Sequence, residues 1–130
     1  MAHYIDTSAA AKLVLKEAES TAMRRWLLEE TRVLVSSDLT RTELLRAVRR
    51  IAPDQAVLAR RVLEELTLLT LATSTFEAAA HLDPALLRTL DALHLASALE
   101  LGDDLEGLVT YDDRMAAAAL AHGIPVVVPR

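Results

Sequence analysis

Five short apolar runs, separated by longer stretches with a helical period, constrain this chain more than any other feature. The runs are His3-Tyr4-Ile5, Val33-Leu34-Val35, Leu66 to Leu71, Gly107 to Thr110 and Val126-Val127-Val128. Most lack polar alternation, as expected of parallel strands covered on both faces. Helix candidates fill the intervals: Ser8 to Lys16, Ser20 to Glu30, Thr40 to Ile51, Asp54 to Glu65, Thr89 to Leu101, and about Asp112 to His122. The last stops at Gly123 with Pro125 just beyond, a recognisable helix end. Strand–helix alternation with parallel crossovers predicts a three-layer α/β/α sandwich on a parallel five-stranded sheet. A single domain over residues 1–130 is expected.

Composition sets the limits of function. The hydrophobic fraction is 52% with one Phe, one Trp and two Tyr, so Leu, Ala and Val must build the core. Cysteine is absent, which excludes disulfides, thiol chemistry and Cys-based zinc sites. The first residues reach a charge at Asp6, too soon for a signal peptide, and no run approaches the ~18 apolar residues of a membrane span. A soluble cytoplasmic protein with no membrane association is expected. The net charge of −5 argues against a generally basic nucleic-acid coat, so any such contact must use local arginines.

In open parallel sheets, ligands bind beyond the carboxyl ends of the strands. Acids recur at those places. Asp6 follows the first strand, Glu43 lies early in the helix after the second, Asp91 opens the apolar helix, and Asp112 follows the fourth strand. Each has a plain structural reading, because acids at helix starts complement the macrodipole, and Thr40 with Glu43 fits a capping box. Asp91 is the hardest to dismiss, since Leu90, Leu93, Leu95, Ala96 and Leu99 leave its helix little polar surface. If the four meet, they form a carboxylate cluster suited to Mg²⁺ or Mn²⁺, which activates water at a phosphodiester. Sequence alone does not bring them together.

The blocks Ile5-Asp6-Thr7-Ser8-Ala9, Glu43-Leu44-Leu45-Arg46-Ala47, Leu90-Asp91-Ala92-Leu93-His94-Leu95-Ala96 and Val109-Thr110-Tyr111-Asp112 resemble the four-acid signature of PIN-domain nucleases. The third block and the overall length are especially similar to VapC toxins. The resemblance covers essentially the whole chain. It implies adjacent first and fourth strands, with Asp6, Glu43, Asp91 and Asp112 catalytic and Asp6, Asp91 and Asp112 holding Mg²⁺ or Mn²⁺. It implies an endoribonuclease acting on RNA, a homodimer, and inhibition by a VapB-like antitoxin.

Several neighbours carry two readings. Ser8 and Thr110 either orient a carboxylate or cap helices. Asp113 competes with Asp112 as fourth acid. If Thr89 and Thr110 are N-caps, Asp91 and Asp112 both become second helical residues and Asp113 reaches back to the Thr110 N–H. His94, one turn after Asp91, reads as a packed histidine before it reads as a partner of the acids. Arg88 precedes the Asp91 helix, within reach of substrate. Arg41, Arg46, Arg49 and Arg50 form either a phosphate-contacting or a solvated face, while Lys12 and Lys16 read as solvated.

Four rivals stand against this reading. A PIN nuclease of RNA processing would share the site. A phospho-receiver domain needs a lysine near the last strands, yet both lysines lie in the first helix; a haloacid-dehalogenase-like phosphatase needs an aspartate where Ser8 stands. A catalytically silent interaction domain would not need all four acids.

Overall fold

The computed structural model describes residues 1–130. Its strands are β1 (Ala2–Ile5), β2 (Val33–Ser37), β3 (Thr67–Leu69), β4 (Leu105–Val109) and β5 (Val126–Val127). All pair in parallel, in the order β3-β2-β1-β4-β5. The helices are α1 (Thr7–Ala11), α2 (Ser20–Glu29), α3 (Asp38–Ile51), α4 (Ala56–Glu65), α5 (Thr73–Ala80), α6 (Thr89–Leu99) and α7 (Asp113–Ala121).

Consecutive residues of a strand enter opposite cores. Ile5 and Val109 join Ala9, Ala10, Met23, Leu44, Val48, Ala59 and Leu63, which places α1 to α4 on one face of the sheet. Tyr4, Val35 and Leu108 join Leu95, Ala98, Met115, Ala118 and Ala119, which places α6 and α7 on the other. This is the expected α/β/α sandwich. Each fully buried Leu or Val side chain contributes ~1.5–3 kcal/mol. The fully buried alanines Ala9, Ala10, Ala98 and Ala119 keep the helices close to the sheet. No helix is long and apolar enough to cross a membrane.

The sheet grows from β1 to β2 to β3 on one side, and then β4 lands on β1's other edge. Ile5 sits opposite Val109 in that pairing. Residues 6 and 110 therefore leave the sheet side by side, at the reversal of strand order where open α/β sheets bind ligands.

The elements differ from expectation in a few places. The first helix ends at Ala11, not Lys16, and residues 12 to 15 tighten into turns. The cause is a local clasp: Ser20 Oγ donates to the Leu15 carbonyl at 2.8 Å and accepts the Glu17 N–H at 3.0 Å. Lys12 is buried there rather than solvated, with its ammonium 2.7 Å from Glu19 and 4.8 Å above the Tyr111 ring. The strand expected over Leu66 to Leu71 shrinks to β3, because Leu66 still caps α4. Helix α5 was not expected; its N-cap, Ala72, makes no side-chain bond, so the usual start signal is missing. Buried Thr75 ties α5 to α6 by donating to Glu100.

Candidate active site

Asp6 is the N-cap of α1 and only 4% exposed. Its Oδ1 accepts the Ala9 N–H at 3.1 Å and the Ser8 hydroxyl at 2.6 Å, while Thr110 donates to Oδ2. Burial pushes this carboxyl above its ordinary range, and the three hydrogen bonds act against that rise. Capping and a site role thus coincide in one residue. Ser8 and Thr110, given two readings above, both serve the Asp6 carboxylate. Each is itself held: Ser8 Oγ accepts the Tyr111 N–H at 2.9 Å, and Thr110 Oγ1 accepts the Asp112 N–H at 3.0 Å.

Asp112 is the N-cap of α7, with Oδ1 accepting the N–H groups of Arg114 and Met115 at 2.9 and 3.1 Å. The reading with Thr110 as N-cap is therefore corrected. Thr110 is committed to Asp6, so the cap falls two residues later. Asp113 becomes the exposed first residue of α7 and makes no capping-box bond. Thr89 is likewise the first residue of α6 rather than its cap; Arg88 holds that position, exposed and without a side-chain cap bond. The two Thr-x-Asp segments are not equivalent.

Glu43 lies in the second turn of α3, whose N-cap is Ser37, so the expected capping box with Thr40 does not form. Thr40 is instead buried against Ser36, with the hydroxyl oxygens 2.6 Å apart. Glu43 Oε1 takes two bonds, from Thr7 Oγ1 at 2.8 Å and with His94 Nε2 at 2.6 Å. Burial alone would raise the Glu43 carboxyl, but His94 and Thr7 outweigh it and hold the group below its ordinary value. His94 is 2% exposed, yet it is not simply a packed residue, because both ring nitrogens are engaged.

Asp91 occupies the third position of α6, half-buried, and its carboxylate has no hydrogen-bond partner in the protein. Its pKa is raised first by burial and then by the charge of Asp112, with Asp6 and Glu43 adding to the rise and His94 opposing it. Hydrogen bonds link the elements that carry the acids: Thr110 joins Asp6 to Asp112, and His94, on the Asp91 helix, joins Glu43. Sequence reasoning read Thr40 only as a helix cap and passed over Thr7, Ser36 and Tyr4. Only Thr7 carried a signal, its place beside Asp6.

An all-carboxylate donor set is the chemistry that Mg²⁺ or Mn²⁺ selects. No three of the acids form a tight cage around a single point. Mg²⁺ does not need one, since it keeps several waters and takes one or two carboxylates directly. The residues fit such an ion.

Comparison with known proteins gives a consistent result. The PIN domain family model matches residues 3–127. Ribonuclease VapC46 of Mycobacterium tuberculosis is 44% identical, over 97% of this chain and 96% of its own length. Ribonuclease VapC47 from the same species is 38% identical with the same coverage. Among solved structures, Mycobacterium tuberculosis VapC20, described as a sarcin-ricin loop cleaving toxin, superposes with a TM-score of 0.76 at 20% identity, covering 90% of this chain and 95% of that one. A toxin–antitoxin complex from Klebsiella pneumoniae gives 0.71 at 21% identity, covering 100% and 98%. At those identities the structural likeness speaks for the fold, and the sequence relatives carry the family. The chain belongs to the PIN-domain family, among its VapC ribonucleases.

Proposed function

We propose that this chain is a Mg²⁺- or Mn²⁺-dependent endoribonuclease and the toxin of a VapBC-type pair, restrained by a VapB-like antitoxin. One observation carries the site assignment. Thr110 joins Asp6 to Asp112 at the carboxyl ends of β1 and β4, and His94 joins Glu43 to the helix that carries Asp91, otherwise buried from Ala92 to Ala98. Asp6, Asp91 and Asp112 would hold the cation, one or two of them directly and the rest through its waters, and Glu43 completes the set. Bound there, a divalent ion supplies an activated water and offsets the charge that develops on the phosphodiester.

The chain's own residues supply orientation and proton transfer. Ser8, Thr110 and the Ala9 N–H fix both Asp6 oxygens, so that carboxylate cannot swing away. Asp112 spends only Oδ1 on its helix, which leaves Oδ2 for the site. Glu43 has Oε1 doubly bonded and Oε2 uncommitted, which suits it to take a proton from the attacking water at Oε2. Arg88, exposed at the start of α6, is a candidate for contact with RNA phosphate.

The test is cleavage of labelled RNA with and without EDTA, in wild type, Asp6→Asn and Asp91→Asn. Chelation should abolish cleavage, and each substitution should reduce it by ~10–100-fold or more with the fold intact by circular dichroism. Full activity in EDTA, or in folded Asp91→Asn, would sink the assignment. A homodimer belongs to the same proposal. Leu86, 95% exposed, lines a largely apolar groove of about 840 Å³ between the 83–87 segment and α7. Light scattering should give twice the chain mass at micromolar concentration; a monomer mass would remove that part.

A further inference from the structure

Buried polar groups require partners, and networks of them fix geometry at sites where position matters. One such network passes beneath the acid cluster. The Ser36 hydroxyl donates to the Ile5 carbonyl at 2.7 Å and meets Thr40 Oγ1 at 2.6 Å. Thr40 lies 3.4 Å from Thr7 Oγ1, which donates to Glu43 Oε1. On the other side of that oxygen stands His94 Nε2 at 2.6 Å, and His94 Nδ1 is 2.8 Å from the Tyr4 hydroxyl. Glu43 belongs to α3 and His94 to α6, so the contact joins the two helical layers across the end of the sheet.

The direction of the bonds at His94 follows from chemistry. Tyr4 is fully buried with its hydroxyl 2.8 Å from Nδ1, and a phenol keeps its proton at neutral pH. It donates that proton to Nδ1. The ring proton then sits on Nε2, which faces a carboxylate oxygen and donates to it. Which imidazole nitrogen carries the proton is set by the bond the other one makes. The same device orients the groups around many metal sites.

We infer that His94 is a positioning residue for Glu43: Tyr4 selects its Nε2–H tautomer, and His94 with Thr7 pins Oε1 so that Oε2 remains for the reaction. This rests on the carboxylate-site reading above. It assigns a role to a histidine that packing alone would not require. A leucine would fill the same layer of α6, whereas only a donor at the Nε2 position serves Glu43.

Substitutions that move the donor separate positioning from packing. Glutamine places an N–H near the imidazole Nε2 position, and asparagine falls short of it. In Mg²⁺-supported cleavage of labelled RNA, His94→Asn should lower kcat by about 10- to 100-fold with KM little changed. His94→Gln should recover most of that loss. Tyr4→Phe keeps the ring and should cost less than His94→Asn. A second readout needs no metal. In the ¹⁵N–¹H spectrum of metal-free protein, His94 should show a protonated Nε2 with a downfield proton, which returns toward ordinary values in Glu43→Gln. Wild-type cleavage with folded His94→Asn equally active would overturn the inference, as would Gln no better than Asn or an Nδ1–H tautomer in the spectrum. Wild type inert with both Mg²⁺ and Mn²⁺ would instead remove the underlying reading, and the spectrum would still decide the His94 contact.

Discussion

Asp112 has two duties at one side chain, and different substitutions divide them. Its Oδ1 caps α7 through Arg114 and Met115, and its charge bears on Asp91. Asparagine is as good an N-cap as aspartate but carries no charge. Asp112→Asn should therefore keep the melting temperature of the metal-free protein while weakening Mn²⁺ binding in calorimetry. Asp112→Ala should lose the cap as well, at ~0.5–2 kcal/mol. Asp113→Asn should leave both nearly untouched, since Asp113 is exposed and its only service is to the helix dipole. If Asp113→Asn abolished Mn²⁺ binding while Asp112→Asn kept it, the fourth acid would be misassigned. The sequence pattern Thr-x-Asp suggested that Asp91 and Asp112 sit alike on their helices. They do not, because Thr110 bonds to a carboxylate more than a hundred residues away while Thr89 makes no such bond.

At the scale of elements, the sheet was legible because β1 is buried along its whole length and β2 and β4 are buried toward their carboxyl ends, which favours apolar runs over polar alternation. The β3-β2-β1-β4-β5 order was not visible in those runs, and only the family resemblance placed β1 beside β4. Helix α6 announced itself by having almost no polar surface, and Ala92 to Ala98 are all buried. Helix α5 did not, since only Thr75 is buried on it and its cap residue is alanine. In hindsight, Ser74 with Glu77 three places later followed by three alanines was the available cue. The four acids were legible as residues at strand ends. Ser8, Thr110 and His94 were legible only as residues with two readings, and Thr7, Ser36 and Tyr4 not as partners of the acids at all, because each contact depends on strand register and layer assignment. Tyr4 and His94 are 90 positions apart, and Ser36 and Ile5 are 31 apart. Local pattern carries no information about such pairs.

For the molecule as a whole, stability against pH is set by ionisable groups that folding has moved in opposite directions. Burial raises the carboxyls of Asp6 and Asp91, so between their ordinary and raised values the metal-free native protein binds protons that the unfolded chain has released. They favour folding as pH falls through their raised values. His3 acts the other way. It lies in β1 with its ring edge-on to Trp26 at 5.0 Å, and its side chain is 8% exposed. Burial is the main reason that its pKa is lowered from 6.5; nearby Glu106 opposes the shift and Arg32 assists it. Below 6.5 the unfolded chain takes up a proton that native His3 refuses, so the unfolded state binds more protons there. The His3 contribution is thus complete above that pH, declines as pH falls toward the lowered native value, and is constant beyond it. Urea unfolding in EDTA from pH 7.5 down to 5.5 should show wild type losing stability more steeply than His3→Gln, whatever the variant costs at neutral pH. The acids are common to both proteins, so the difference between the two curves isolates the imidazole. Parallel curves would mean that His3 titrates alike in both states and that its burial against Trp26 carries no proton linkage.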